Sequence, residues 1–484
     1  MVLNSATKFC QTLAMSELWK LSAVEMAAGV QARDFKPSEL IAAAIGRVEA
    51  TNPHLNAITL PLLDEAVAAA VAADTAVTSG AELGPLHGVP VTIKENVDMA
   101  GLPNTNGVPA YAENMASEDA PLVRNLRGAG AIVIGRTNTP EFSMRGTTDN
   151  PLRGRTYNPW NDEASPGGSS GGAGSACAAG MSPLNHGNDI GGSLRLPSFT
   201  NGVTTVKPTS FRVPVFNSSA PAERGPLSQA MSVQGIIARH AADVRLATRV
   251  MIQPDPRDPN SPPIPWNGPD LGGLPSVAVT TESCGYPIHP ELVELVKRAA
   301  AQLRDAGYNV VEVEPPPMIE SAREWFRAGT TEMEATLDAA LRAHGSETII
   351  QIFDWYYEMS EILDRDGYIS AFGDRTRLMR EWNLFLDQYP LVLTPFLMRP
   401  TFDWDYDARG FDEVKDLFDS AIYSTGINYL GLPAGVIGMD LVADRPAAVQ
   451  LVGRRYREDL ICDAMEAIEQ RNGVLVHRLW DRQA

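Results

Sequence analysis

The chain has 484 residues, enough to bury a large core in one big domain or in two. Apolar residues make up 44% of it and charged residues 20%, which is ordinary for a soluble globular protein. Forty basic against 59 acidic residues give a formal charge of −19. The long-range field of such a chain opposes binding to nucleic acids and anionic membranes.

Cysteine usage and hydropathy indicate where the protein works. The four cysteines form no Cys-x-x-Cys pair, and no His or Cys cluster has zinc spacing, so we expect no metal and a reducing compartment. The amino-terminal segment lacks the pattern of a secretory signal, and no apolar run reaches the ~18 residues of a membrane span. We expect a soluble cytoplasmic protein without a membrane partner, with a disordered leader at 1–15.

The first part of the chain alternates predicted helices with predicted strands. Ser22 and Glu25 have the spacing of a capping box, and Pro37 opens a helix whose apolar residues recur every three or four positions. By the same patterns we predict helices at 23–30, from 37 onward, at 66–73 and at 122–129, and strands at 87–94 and 131–135.

The second part begins with a long irregular connection at 253–275, rich in Pro, Asn and Asp. A strand at 276–280, a helix after Pro290 and a strand at 308–313 form a β-α-β unit, which implies parallel pairing. The remaining predictions are mostly helical structure at 320–390, strands at 391–395, 434–439 and 448–452, and a final helix at 457–470. The pattern predicts an α/β protein, with one large domain favoured over two.

The chemistry concentrates at 165–196, where two serines stand among glycines. Ser193 follows Ile190, Gly191 and Gly192, and consecutive backbone N–H groups in such a loop can converge on one point as an oxyanion hole. Glycine at these positions lets the carbonyl group of a substrate approach the backbone closely. Ser193 is therefore the candidate nucleophile of a serine hydrolase.

A base for this serine is offered by Lys94. It lies in an apolar strand pattern, where burial lowers the pKa of an amine and lets it accept a proton. Ser169, inside the sequence Gly-Gly-Ser-Ser-Gly-Gly, is a candidate proton relay between Lys94 and Ser193. Taken singly, the glycine-rich stretch is equally typical of a plain loop, Lys94 of a lysine paired with Glu95, and Asp189 of a turn. Their order and combination favour catalysis.

The set of motifs resembles the amidase signature family over about residues 20–472. The matching stretches are His87-Gly-Val-Pro-Val-Thr-Ile-Lys94, Gly135-Arg-Thr-Asn-Thr-Pro-Glu141-Phe, Gly167-Gly-Ser-Ser-Gly-Gly172, Asp189-Ile-Gly-Gly-Ser193-Leu-Arg, Val206-Lys-Pro208-Thr, Gly431-Leu-Pro433-Ala and Gln450-Leu-Val-Gly453. The variant His186-Gly-Asn-Asp, where many members have Gly-Thr-Asp, is similar to the branch with nylon-oligomer hydrolases and urethane-cleaving amidases (urethanases). We interpret His186 itself as a satisfied strand histidine rather than a second base.

The resemblance implies one large mixed, mostly parallel β-sheet covered by helices on both faces. It places a single domain at 16–484, with a signature core at about 80–215. It also implies a Ser-cisSer-Lys triad, in which Ser193 is acylated, Ser169 follows a cis peptide bond and relays the proton, and Lys94 is the base.

The resemblance also implies an oxyanion hole formed by the backbone N–H groups of Ile190, Gly191, Gly192 and Ser193. Around the triad, it implies that Ser170, Asp189 and Arg195 orient the network. The substrate pocket is less specified by the motifs. The aromatic candidates in the variable region at 320–402 are Trp325, Phe326, Phe353, Trp355, Tyr356, Phe396 and Phe402, and for each of them core packing is the more typical role. From the whole chain we select Met144, Phe353 and Phe396 as pocket residues.

The implied reaction is hydrolysis of small aryl or alkyl amides by water through an acyl-enzyme on Ser193, without a cofactor or metal. Esters and carbamates are expected as further substrates, and the enzyme as a monomer or homodimer. Three alternatives are a glutaminase-type subunit of a tRNA-dependent amidotransferase complex, a binding protein with an inactive triad, and a dinucleotide-dependent oxidoreductase. The last would need a Gly-x-Gly-x-x-Gly fingerprint, which we do not find.

Overall fold

The computed structural model describes residues 15–483, and within them one 11-stranded β-sheet forms the centre of the fold. The strands are β1 (Ile58–Pro61), β2 (Pro90–Lys94), β3 (Ile132–Thr137), β4 (Leu184–Asp189), β5 (Thr204–Lys207), β6 (Val233–Ala238), β7 (Val277–Val279), β8 (Val310–Glu312), β9 (Leu391–Pro395), β10 (Ala434–Val442) and β11 (Arg445–Gly453). Their order is β1-β3-β2-β4-β6-β5-β10-β11-β9-β7-β8. The leader expected at 1–15 falls, except for Met15, outside the described residues.

Helices surround this sheet. They are α1 (Ala23–Ala32), α2 (Pro37–Leu55), α3 (Leu63–Ser79), α4 (Pro121–Gly128), α5 (Gly171–Ala178), α6 (Arg195–Asn201), α7 (Pro226–Met231), α8 (Ala241–Met251), α9 (Pro290–Asp305), α10 (Met318–Thr336), α11 (Asp338–His344), α12 (Glu347–Met359), α13 (Arg365–Gln388), α14 (Phe411–Asp419), α15 (Ile422–Leu430), α16 (Glu458–Asn472) and α17 (Val476–Gln483). Short 3₁₀ helices lie at Met15–Lys20, Pro109–Tyr111, Glu141–Ser143 and Tyr406–Ala408.

Both faces of the sheet are buried. Successive side chains of a strand point to opposite faces, and in β9 Leu391 and Leu393 belong to one hydrophobic cluster while Val392 belongs to another. The two clusters therefore fill the two layers between the sheet and the helices. The α/β class and the mixed sheet expected from the sequence are confirmed.

The expectation that strand pairing is mostly parallel is wrong. Within the described residues, four neighbouring pairs are parallel (β3-β2, β2-β4, β9-β7 and β7-β8) and six are antiparallel. The predicted β-α-β unit is parallel, with Val277 opposite Val310. Strands β10 and β11 are antiparallel and form a hairpin. Its turn residues, Ala443 and Asp444, have φ angles of 51° and 59°, which suit a tight two-residue turn.

Most predicted elements occur close to their expected positions. The capping box is present, since Ser22 N–H donates to the Glu25 carboxylate at 2.9 Å and Glu25 N–H donates to Ser22 Oγ at 3.1 Å. The stretch at 253–275 contains neither helix nor strand, as predicted. The helix at Val476–Gln483 was not predicted; it docks through Trp480, whose indole N–H donates to the Ala178 carbonyl at 2.8 Å.

No helix between residues 15 and 483 combines the length and apolar character that a membrane span requires.

Candidate active site

Two neighbouring parallel strands bring the signature residues together. Strand β2 ends at Lys94 and strand β4 at Asp189, and the two are paired. The glycine-rich segment leads into α5 and the loop after Asp189 leads into α6, and the Ser170 N–H donates to the Ser193 carbonyl at 3.2 Å. The carboxyl ends of parallel strands are a usual place for ligand sites in α/β folds. The peptide bond between Gly168 and Ser169 is cis, as the resemblance implies.

Lys94 is fully buried and surrounded by oxygen atoms. Its Nζ lies 2.7 Å from Ser169 Oγ, 3.0 Å from Ser170 Oγ and 2.7 Å from Asn188 Oδ1. Glu95 pairs with Arg153, so the sequence alternative of a Lys94–Glu95 ion pair does not apply. Burial lowers the pKa of the Lys94 amine well below its usual value, an effect that outweighs the opposing charge of Asp189. The geometry suits a neutral amine.

Asn188 is a neighbour of Lys94 that the sequence did not single out. Its Nδ2 donates to Asn96 Oδ1 at 2.8 Å, which turns its Oδ1 towards Lys94 Nζ. A neutral amine has two N–H groups and one lone pair. Because Asn188 Oδ1 can only accept, it takes one N–H group, and with the other N–H directed to Ser170 the lone pair faces the Ser169 hydroxyl. The His-Gly-Asn-Asp motif contains Asn188, but a sequence motif alone does not show that this side chain lies next to Lys94.

Asp189 holds the loop that carries Ser193. Its buried carboxylate pairs with Arg195 at 3.0 Å and accepts from the Gly192 N–H at 2.8 Å and the Leu194 N–H at 3.2 Å. Burial alone would raise the pKa of this carboxyl, but the Arg195 guanidinium outweighs it and holds the pKa at about 2. The carboxylate is therefore ionised at neutral pH and ties the loop to the sheet.

These contacts correct one oxyanion-hole expectation. Gly192 was expected to donate to the oxyanion, but its N–H group is committed to Asp189. In the part of the chain that the structure covers, the N–H groups of Ile190, Gly191 and Ser193 have no protein acceptor. These three residues are half-buried and border a cavity, so their N–H groups are the available donors.

Ser193 lies between two cavities. The larger, of about 350 Å³ and called the polar cavity below, has walls that mix apolar surface with polar side chains, among them Ser169, Asn96, Asn106 and Asn217. The smaller, of about 70 Å³, lies beside the glycines of the 190–193 loop and is mainly apolar. Its side-chain walls include Met144, Leu196, Trp325, Tyr356, Leu417 and Phe418. The two cavities share the lining residues Ser143, Met144, Ile190 and Ser193.

Of the three residues selected for the substrate pocket, Met144 borders both cavities, whereas the two aromatic residues border neither among the described residues. Phe353 and Phe396 are fully buried and are absent from the walls of both cavities within residues 15–483. Phe353 packs inside the helical layer against Tyr356, and Phe396 packs on Phe199 with ring centroids 5.8 Å apart. Their surface is used for core packing, with Phe353 on α12 in one hydrophobic cluster and Phe396, directly after β9, in the other.

His186 is a core residue, as predicted. Its Nδ1 accepts from the Lys94 N–H at 3.4 Å, and its Nε2 lies 2.9 Å from Gln234 Oε1. Burial lowers the pKa of this imidazole to about 3, so the ring is neutral at neutral pH. Its two ring nitrogens contact β2 and β6, and within the described residues neither nitrogen contacts Ser169 or Ser193.

We expect Asp189→Asn to lower the free energy of unfolding by about 3–5 kcal/mol, because it leaves Arg195 buried without a counter-charge. The same pair predicts acid sensitivity. The folded-state pKa of about 2 lies below the unfolded value of about 3.9, so the stabilisation is present above the unfolded pKa and disappears as the pH falls towards 2.

Urea unfolding of the purified variants measures this effect. The control is Glu361→Gln, which removes an exposed partner of Arg327 and should cost at most about 1 kcal/mol. Equal losses in the two variants would contradict a structural role for the buried pair.

Comparison with known proteins gives the class of this site. The sequence model of the amidase family matches residues 39–462. Indoleacetamide hydrolase of Bradyrhizobium diazoefficiens is 47% identical over 465 residues, covering 96% of this chain and 89% of that protein. Acylamidase of Rhodococcus erythropolis is 33% identical over 456 residues, covering 91% and 93%.

Two further matches are more distant. A glutamyl-tRNA(Gln) amidotransferase subunit of Moorella thermoacetica is 29% identical over 482 residues, covering 94% of this chain and 97% of that protein. The solved structure of 6-aminohexanoate cyclic dimer hydrolase complexed with substrate is 26% identical with a TM-score of 0.79, covering 96% and 98%. Fold, site and matches together define an enzyme that hydrolyses amides. The chain belongs to the amidase signature family.

Proposed function

We propose that the protein hydrolyses small arylalkyl amides through an acyl-enzyme on Ser193, with Ser169 as proton relay and Lys94 as base. The observation that carries this proposal is the buried Lys94 amine with Ser169 Oγ at 2.7 Å, beside the cavity that also contains Ser193. Other serine hydrolases use a histidine as the base. Lysine can take this role at neutral pH only where burial lowers its pKa, as it does for Lys94.

The reaction runs in two acyl transfers. Ser193 Oγ attacks the amide carbonyl and passes its proton through Ser169 to Lys94, while the N–H groups of Ile190, Gly191 and Ser193 stabilise the oxyanion. The C–N bond then breaks, and the leaving nitrogen takes the proton back from Ser169. Water repeats these steps on the acyl-enzyme and releases the carboxylic acid.

The position of the relay supports an assignment of the two cavities. The leaving nitrogen must reach Ser169, which lines the larger polar cavity and not the smaller one. The leaving group therefore occupies the polar cavity, and the acyl group points towards the aromatic one, between Trp325, Tyr356 and Phe418, which at about 70 Å³ must widen to enclose an aryl ring. An aromatic acyl group agrees with the name of the 47% identical relative, indoleacetamide hydrolase.

Esters and carbamates are further substrates in this proposal. An aryl ester gives the same acyl-enzyme and needs less help with its leaving group, while an aryl carbamate gives a carbamoyl-enzyme at the same serine. The glutaminase alternative has less support, because the amidotransferase relative is 29% identical whereas the indoleacetamide hydrolase is 47% identical. An apolar aromatic cavity also suits the polar side chain of glutamine poorly.

A substrate panel tests the proposal. We expect the purified chain to hydrolyse phenylacetamide and indole-3-acetamide with kcat/KM values at least about tenfold above that of acetamide, since a buried aromatic side chain contributes roughly 1.5–3 kcal/mol. Glutamine should give no ammonia above background. Ammonia release from glutamine alone, without cleavage of any arylalkyl amide, would contradict the proposal.

Asn188 is proposed as a positioning residue for Lys94. Asn188→Ala removes the acceptor that directs the Lys94 lone pair to Ser169, so we expect kcat to fall by about tenfold or more, with KM changed less than twofold. The pH dependence of kcat should also shift. Asn185→Ala removes another buried amide of β4, which donates to the Ser182 carbonyl and borders neither cavity among the described residues, and serves as the control. An effect on KM alone, or no shift in the pH profile, would contradict a role through Lys94.

A further inference from the structure

Arg224 is a cation on the wall of the larger cavity that the proposed mechanism does not use. Its Nη1 donates to Ser232 Oγ at 2.6 Å, and no carboxylate forms an ion pair with it in the part of the chain described. The other charged groups on this wall are Asp189, which is neutralised by Arg195, and Glu223, which lies beside Arg224 without pairing. A guanidinium with free donors therefore faces the cavity.

This arrangement is unusual in a chain of net charge −19. Other arginines near the site are paired: Arg145 contacts Asp405 and Asp407, and Arg153 contacts Glu95. Arg224 is open to solvent at the cavity, and it stays cationic although the surrounding protein lowers its pKa, because arginine does not lose its proton in proteins. Its donors are therefore accessible to a ligand, and a carboxylate would supply a charge-assisted, bidentate contact.

Arg224 is also close to the reacting groups. It shares the cavity with Ser169 and Ser193, and after the larger effect of burial its positive charge helps to lower the pKa of Lys94. Amide side chains of Asn106, Asn114 and Asn217 line the same space and offer neutral hydrogen bonds. The polar cavity thus combines one charged donor with several uncharged ones, on the side where the leaving nitrogen must lie.

We infer that the larger cavity binds leaving groups that carry a carboxylate, and that Arg224 binds this carboxylate, so that N-arylacetyl amino acids are substrates. The inference rests on the proposed function, because it uses the same acyl-enzyme. Ser193 Oγ bonds to the acyl carbon, the C–N bond breaks, and the amino acid nitrogen takes the proton from Ser169. Water then releases the arylacetate, so one N-acyl amino acid and one water give one acid and one amino acid.

A matched pair of substrates tests the role of the charge. Phenylacetylglycine carries a carboxylate where N-isobutylphenylacetamide carries an isopropyl group of similar shape. We expect kcat/KM for phenylacetylglycine to exceed that for the neutral amide by at least about tenfold in the wild-type enzyme. In Arg224→Gln this ratio should fall to about one, and in Arg224→Lys it should be intermediate. The control is Arg323→Gln, an exposed surface arginine on α10, which should keep the wild-type ratio.

A measurement on the wild-type enzyme alone complements the variants. N-acetylglycine should inhibit hydrolysis of phenylacetamide competitively and more strongly than N-isobutylacetamide. A wild-type ratio of one or less, equal inhibition by the two compounds, or an unchanged ratio in a folded Arg224→Gln would overturn the inference. Phenylacetamide separates this inference from the proposed function: if it is cleaved without a carboxylate preference, only the inference fails, whereas if it is not cleaved the proposed function fails.

Discussion

Replacing Ser193 with alanine should lower kcat/KM for phenylacetamide by about 10⁴-fold or more, because no acyl-enzyme can form without its hydroxyl. The oxyanion donors and the cavities remain, so substrate binding should change little. Steady-state kinetics with phenylacetamide, together with direct binding of the substrate to the inactive variant, measures both effects.

The control for this variant is Ser198→Ala on α6. The Ser198 hydroxyl donates to the Leu194 carbonyl at 3.0 Å within the same buried segment, so its loss tests the local structure without touching either cavity. We expect Ser198→Ala to keep activity within a few-fold of wild type. An active Ser193→Ala would contradict the assigned nucleophile.

Replacing Lys94 with methionine should separate amides from activated esters. An amide nitrogen must be protonated to leave, whereas p-nitrophenolate leaves without a proton, so the relay is needed most for amides. We expect kcat/KM for phenylacetamide to fall by about 10³–10⁴-fold, and that for p-nitrophenyl phenylacetate to fall at least about tenfold less. Amide hydrolysis by the wild-type enzyme should rise with pH as Lys94 loses its proton and level off well below the usual lysine pKa.

Lys207→Met is a matched control for the loss of a buried amine. Lys207 is also fully buried, burial lowers its pKa to about 7, and its Nζ donates to the Pro208 carbonyl at 2.9 Å. It borders neither cavity within the described residues, so its replacement should change amide and ester rates equally. Equal losses of the two activities in Lys94→Met would contradict the relay through Ser169.

Lys94→Met should also show that burying the Lys94 amine lowers the stability of the folded protein. Between the lowered folded-state pKa and the usual unfolded-state value, the unfolded chain binds a proton that the folded protein does not, so stability rises with pH. Methionine removes this dependence and the cost of burying an amine. We expect a higher melting temperature for Lys94→Met than for the wild type at neutral pH, measured by calorimetry.

The sequence predicted the parts of the site that lie within contiguous motifs. The loop at 190–193 and the glycine-rich stretch are local patterns, and the strand that ends at Lys94 is a short apolar run. The strand that ends at Asp189 is mainly polar and was not among the predicted strands. The cis peptide bond came from the family resemblance and is present at Ser169. Two contacts could not be predicted from any local pattern. They are the hydrogen bond from the Gly192 N–H to Asp189 and the contact between the Asn188 side chain and Lys94.

The parallel or antiparallel pairing of the strands and the residues that line the pocket were predicted less well, because both depend on contacts between distant parts of the chain. Strand β4 pairs antiparallel with β6, and β5 with β10, through contacts between residues far apart in the chain. Likewise, aromatic residues of one region divide between core and cavity according to helix packing, so Phe353 is buried while Tyr356 reaches the cavity. Arg224 belongs to no recognised sequence motif, and only its position in the wall of the larger cavity suggests a role.

The acyl-enzyme on Ser193 is the intermediate on which every other assignment depends, and mass spectrometry of the intact protein detects it. Wild-type enzyme quenched in acid during turnover of p-nitrophenyl phenylacetate should carry one added phenylacetyl group, and peptide mapping should place it on Ser193. Ser193→Ala should remain unmodified under the same conditions. A phenylacetyl group on Ser169, or an equal mass increase in Ser193→Ala, would contradict the proposed mechanism.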